Sequence, residues 1–328
     1  MFSNNTINQH YLSQADQRLN ALNPDAPRKK KRIYEFKITD REKHSASLVS
    51  PRGIGTAEAL ADSDLFTFAV AEDGLSRENF EKVFERYERN TAALIKRVIQ
   101  GKNLGMIEAN EDLLELFTAK MVSFLRNPFC VAKSVDTFGE FAKFHPADPA
   151  LDAIYLRVLS GKKPQLEELS QRYGLTIEQY FLWLRILFMS LVPMDGGASN
   201  LFDAGCRAIF FKAGNRTVIQ VHTYTSERCL LSDRSITSID NMGGMTMLMF
   251  NLAANAFVVY GLVDCAARFG SPLPGLIARE LQRQPNAILR EYFSDNLDAL
   301  EAFNQGTLYQ AHSRVFCSDS RPYGITLA

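Results

Sequence analysis

The sequence predicts an α+β protein, mainly helical with a small antiparallel sheet. Three observations predict it. Apolar residues recur at helical spacing through most of the first 192 positions, period-2 alternation occupies positions near 205–262, and helical spacing returns from Pro272. The 328 residues carry 46% apolar and 23% charged side chains, enough for a sizeable buried core. One domain over 1–328 is expected; if it divides, the parts are a mostly helical 1–192 and a meander with closing helices at 193–328.

Residues 1–23 end in the weakly helical QADQRLNALN, which Pro24 and Pro27 break. The basic run RKKKR at 28–32 follows and leads into a strand at 33–39. Such a run serves as a nuclear-localisation or phosphate-binding patch, or as a solvated loop whose lysines guard an edge strand. ASLVSPRGIGTAEAL is a loop by its Pro51, Gly53 and Gly55, and lacks the Gly-Lys-Ser/Thr of a phosphate-binding loop.

After Gly74 a helix is expected, capped by Ser76 and stopped at Gly101. Its stripe is Phe80, Val83, Phe84, Tyr87, Leu94, Ile95 and Val98. Glu81, Glu85 and Glu88 line its other face with Lys82, Arg86 and Arg89 interleaved, a pattern of solvated salt bridges unless further oxygen ligands make it a cation site. Helices are expected at 111–126, 151–159 and 166–173, the last capped by Gly174, with an irregular stretch at 138–149. Thr176 opens a helix apolar nearly all round, with Trp183 inside.

Beyond Pro193 the segments CRAIFFK, TVIQVHTYTS and RCLLSDRSIT read as a meander, which the strand at 33–39 can join. The uncharged run at 245–263 is long enough for a bilayer, but Asn251 and Asn255 interrupt it, so two buried core segments are expected. Helices are expected at 274–284, 286–296 and 298–316.

Lys plus Arg and Asp plus Glu are each 37, which removes any whole-molecule argument for a nucleic-acid or membrane partner and leaves local patches. Five dispersed cysteines without a CxxC fit buried thiols in a reducing cytoplasm. Motifs for zinc proteases, α/β-hydrolases and dinucleotide binding are absent. His222 and Cys229 stand seven apart, a spacing that does not oblige them to face each other as a thiol–imidazole pair.

His10-Tyr11-Leu12-Ser13-Gln14, then Arg18 and the strand RIYEF, resemble the opening of an uncharacterised, mostly bacterial family, domain of unknown function 4238. Phe80-Glu81 with Glu88, FLRNPF with Arg126 and Pro128, the nonapeptide CLLSDRSIT, and Asn304 with Ala311 and Arg314 are similar to its later blocks. Ser13, Gln17 and Arg234-Ser235 depart from the family pattern. The resemblance implies a bacterial accessory protein, with phage defence as its expected setting, and highlights His10, Glu81, Arg126 and Asp233.

Gathered together, those residues suit phosphodiester chemistry. His10, Glu81 and Asp233 would be catalytic, and Gln14, Arg18, Arg126 and Arg234 would bind substrate. Asp233 and Glu81 would hold Mg2+ or Mn2+, the one cofactor expected. The expected function is a nuclease-like or nucleotide-processing hydrolase; the alternative is a non-catalytic binding or sensor subunit. Expected partners are a nucleic acid or nucleotide, a partner protein or a second copy of the chain, and no membrane. The same residues also have purely structural readings: His10 as a pin for the N-terminal segment, Arg126 as a complement to a helix C-terminus, Asp233 as a turn former.

Overall fold

The computed structural model describes residues 2–72, 76–101, 106–193, 199–239, 244–264 and 287–328. Its strands are β1 Asn8–His10, β2 Arg32–Asp40, β3 Ser45–Leu48, β4 Ile54–Gly55, β5 Ala61–Ser63, β6 Thr67–Val70, β7 Arg77–Asn79, β8 Asn215–Thr223, β9 Leu231–Ser232, β10 Thr237–Ile239, β11 Met245–Ala253, β12 Ala256–Asp264, β13 Ala287–Ser294, β14 Arg314–Cys317 and β15 Thr326–Leu327. Its helices are α1 Gln14–Leu19, α2 Glu81–Glu88, α3 Thr91–Gln100, α4 Met106–Leu125, α5 Val131–Phe138, α6 Pro149–Ser160, α7 Leu166–Tyr173, α8 Ile177–Leu191, α9 Leu201–Phe210 and α10 Leu297–Gln310. The chain makes two compact units, each from discontinuous stretches: 1–13, 58–90 and 121–205 form the first, and 14–57, 91–120 and 206–328 the second.

The first unit is built on α8. Thr176 Oγ1 accepts the Gln179 amide while the Gln179 side chain accepts the Thr176 amide, a reciprocal capping box. The helix buries Tyr180, Trp183, Leu184, Ile186, Leu187 and Phe188. Trp183 donates to the Leu125 carbonyl (2.8 Å) and Tyr180 to the Leu65 carbonyl (2.7 Å), so neither polar tip is stranded. Phe2, Phe66, Phe68, Phe80 and Phe84 complete an aromatic core around it. Two short antiparallel pairs, β1–β5 and β6–β7, close this unit.

The second unit carries two larger sheets. One has the order β10-β11-β12-β8-β13, antiparallel except that β13 runs parallel to β8. The other has the order β15-β3-β2-β14-β9, with β4 also on β2. Gly53 (φ 65) lets the turn before β4 pass so close to β2 that a Cβ there would lie 2.6 Å from the Ile33 carbonyl.

These two sheets overturn the expectation of a mainly helical protein with one small sheet; the architecture is mixed α/β. Three segments account for the difference. Residues 287–294 are strand β13, although Ile288, Leu289, Tyr292 and Phe293 match helical spacing, because pairing to β8 supplies a tertiary partner that local spacing does not reveal. The helix expected to 316 stops at Gln310, and 314–317 become β14 between β2 and β9. The strand at 33–39 joins this second sheet rather than the meander, and the expected loop after it contributes β3 and β4.

Other boundaries moved for local reasons. The single helix expected between 74 and 101 is strand β7 and two helices, with the Asn79 side chain accepting the Glu81 amide at the start of α2. Ser76 is not a cap; its carbonyl accepts the Ala71 amide across the β6–β7 pair. CRAIFFK lies mainly in α9, not in a strand. The uncharged run at 245–263 is the β11–β12 hairpin, and no helix among the described residues is long and apolar enough to cross a membrane. The helix expected at 274–284 lies outside the described residues.

Candidate functional site

Glu81 opens α2 in the first unit, and Glu88 lies two turns further along the same face. Arg126, just past the end of α4, pairs with Glu88, and its charge acts on Glu81. Its Nη2 lies 2.6 Å from Glu88 Oε1, and its guanidinium sits 4.9 Å over the Phe84 ring, with only 2% of the residue exposed. Glu81 is partly buried, and its Oε1 has no hydrogen-bond donor. Desolvation pushes its carboxyl up to about 7; Arg126 pulls it back down and Glu88 pushes it further up. The three residues thus form one partly buried acid–base cluster in which Arg126 is sealed beneath Glu88 and Phe84.

The second unit holds a buried polar network absent from the sequence expectations. Lys120 Nζ lies 2.5 Å from Asp16 Oδ1, both side chains almost fully buried. Asn20 and Asn251 exchange amide hydrogen bonds of 2.8 and 3.0 Å, and Asn20 also donates to the Asp16 carbonyl (2.9 Å). Asn251 donates onward to the Leu230 carbonyl (3.2 Å). One signal for Lys120 was available: it follows Leu113, Leu116 and Phe117 on the apolar stripe of its helix, where a solvated lysine does not belong. Arg18 donates to Gln14 four residues earlier on α1, in this same unit.

The nonapeptide CLLSDRSIT is clamped by α10 and the residues after it. Asp233 accepts the amides of His312 (2.7 Å), Ser313 (2.8 Å) and Arg314 (2.9 Å). Burial raises its carboxyl above the usual range, and these amides oppose the rise. Asn304 accepts the Leu230 amide (2.8 Å) and donates to the carbonyls of Arg228 and Tyr323. Arg41 caps the end of α10 at the carbonyls of Tyr309, Ala311 and His312. Arg234 is half-exposed, with its amide on Ser232 Oγ (3.0 Å), and Ser235 takes a left-handed φ of 65° to complete the turn. The apolar half of the nonapeptide is therefore buried chain, and its acid is the knot that holds the return of the C-terminal strand.

Of the expected site, His10, Glu81 and Arg126 belong to the first unit, and Gln14, Arg18, Asp233 and Arg234 to the second. The structure brings Glu81 and Arg126 together with Glu88. His10 is nearly buried on β1, opposite Ala61. Arg126, facing Glu88, and Asp233, holding three amides, are engaged within the protein. Among the described residues no group of three or more His, Cys, Asp or Glu is arranged to hold a metal ion. His222 and Cys229 do not make an activated pair: the imidazole is stacked between Phe257 and Phe293 at 4.5 and 4.8 Å, and burial drives the Cys229 thiol well above its ordinary value.

Comparison of the chain with family models, with curated proteins and with solved structures finds no match.

Proposed function

We propose that this protein acts on phosphodiesters of nucleic acids or nucleotides, with Glu81 as the group that moves the proton. One arrangement carries the reading: Glu81 is clustered with Glu88 and the buried Arg126, and desolvation there pushes its carboxyl up to about 7, where a general base and a general acid are both available at neutral pH. Arg126 is a positioning residue here, since it is sealed against Glu88 and Phe84 and sets the charge around Glu81. Glu81 would take a proton from the attacking water and return it to the leaving oxygen. The likeness of the opening motif to domain 4238 supports a bacterial defence setting for such an activity.

A second reading, a non-catalytic binding or sensor subunit, is favoured by the internal engagement of Arg126 and Asp233. One experiment separates the two. Purified protein is incubated with labelled DNA, RNA and nucleotides, with Mg2+ or Mn2+ and with chelator, beside Glu81→Gln. Turnover that falls at least 100-fold in Glu81→Gln, from a rate rising through pH 7, supports the enzyme; no turnover in any lane leaves the binding subunit.

A further inference from the structure

The basic run at 28–32 is built as a fixed turn rather than a loose tail. Residues 28–30 form one turn of 3-10 helix in which the Lys30 amide donates to the Pro27 carbonyl (2.7 Å). Asn23 ties both ends: its Nδ2 donates to the Lys30 carbonyl (3.0 Å) and its Oδ1 accepts the Arg32 amide (2.8 Å). Arg32 spends its guanidinium on the carbonyls of Arg52 and Gly53, each at 2.6 Å, which fastens a second turn alongside. At three residues per turn, consecutive side chains fan outward, so Arg28, Lys29 and Lys30 all stand exposed beside the exposed Arg52.

These four cations have no carboxylate partner among the described residues, although one exposed acid, Asp25, lies in the turn before them. Elsewhere on this charge-balanced chain several surface arginines are neutralised: Arg86 by Asp203, Arg97 by Asp112, Arg157 by Glu78 and Arg207 by Glu111. A concentration of unneutralised cations on a braced turn is the surface that a chain of phosphates fits. A lipid surface is the poorer match. Polybasic lipid sites accompany a membrane helix or an amphipathic helix, whereas this one is a three-residue turn between prolines and a strand.

From this we infer that Arg28, Lys29, Lys30 and Arg52 form a contact surface for the sugar–phosphate backbone of a nucleic acid. The surface names a substrate class for the function proposed above, and it is tested by binding alone. The probe is a fluorescent single-stranded 20-nucleotide DNA, followed by anisotropy between 50 and 200 mM salt, with phosphatidylserine vesicles as a parallel arm. Three to four phosphate contacts give a slope of log K against log salt of about −2 to −3, or roughly a 20- to 50-fold loss across that range. The triple variant Arg28→Ala/Lys29→Ala/Lys30→Ala should weaken binding at least 10-fold and flatten the slope by about 2, with an unchanged melting curve. Arg52→Ala alone should flatten it by roughly 0.7.

Glu81→Gln should bind as tightly as the unaltered chain, so loss of turnover and loss of binding are read separately. A wild-type slope shallower than about −1, or a triple variant that binds equally well, overturns the inference. Binding to the vesicles without binding to the oligonucleotide overturns it in favour of a lipid surface.

Discussion

Replacing Glu81 by Gln should make the protein more stable, and only at high enough pH. An ordinary glutamate loses its proton near 4.5, whereas Glu81 holds its own to about 7 because its carboxylate is desolvated and stands near Glu88. Between those two values the folded chain binds a proton that the unfolded chain has released, so stability falls as pH rises through the interval. At 1.36 kcal/mol per pH unit the full penalty is about 3 kcal/mol, complete above pH 7 and absent below about pH 4.5. Glutamine fills nearly the same volume and never ionises. Glu81→Gln should therefore melt with the parent at pH 4.5 and above it at pH 8, by about 6 to 12 °C if the domain responds at 2–4 °C per kcal/mol. Circular-dichroism melts of both proteins at half-unit intervals from pH 4.5 to 8.5 would trace the difference. A gap that stays constant across that range would refute the reasoning, since glutamine would then be acting through packing and not through charge.

Asp233→Ala removes the acceptor for three amides at once and should destabilise the second unit by about 3 kcal/mol or more, read as a shifted urea midpoint; Asn at the same place should recover part of it. Asn251→Leu strands the Asn20 side-chain carbonyl that it now meets at 3.0 Å and should cost about 1–3 kcal/mol in the same urea assay. His222 stays neutral in its stack down to about pH 4 because burial disfavours its charge, while in the unfolded chain it takes up a proton near 6.5. Stability is thus lost as pH falls through that window, and His222→Phe should lose less than the parent between pH 7 and 5 in urea titrations.

Local chemistry made some of the fold legible in the sequence. The Thr176–Gln179 box, Gly174 in its left-handed cap and the alternation of β8 each specify an element without help from distant residues. The remainder depended on partners far along the chain. β13 has the apolar spacing of a helix and becomes a strand because β8 is beside it. β9 is a pair of residues and β14 four, too short to show a period at all. The site divides in the same way. Glu81 and Glu88 share a helical face and could be read as neighbours, and a family likeness drew in Arg126. Asp233 looked like a catalytic acid because an acid at a strand end resembles one until its three amide partners, about 80 positions away, are seen. The Lys120–Asp16 pair joins residues 104 positions apart, a partnership no local pattern displays.

The pairing of β2 with β14 has a consequence for how the chain is made. Glu35 and Arg314, 279 positions apart, meet across adjoining strands in the middle of one sheet. While the polypeptide is still leaving the ribosome, β2 must wait with one edge open for a strand not yet synthesised. Until it arrives, Phe36 lacks Leu308, Val315 and Cys317, the late-made side chains it packs with in the folded chain. A stop codon anywhere before 314 would leave that edge bare permanently, and such fragments should be recovered as aggregate or not at all.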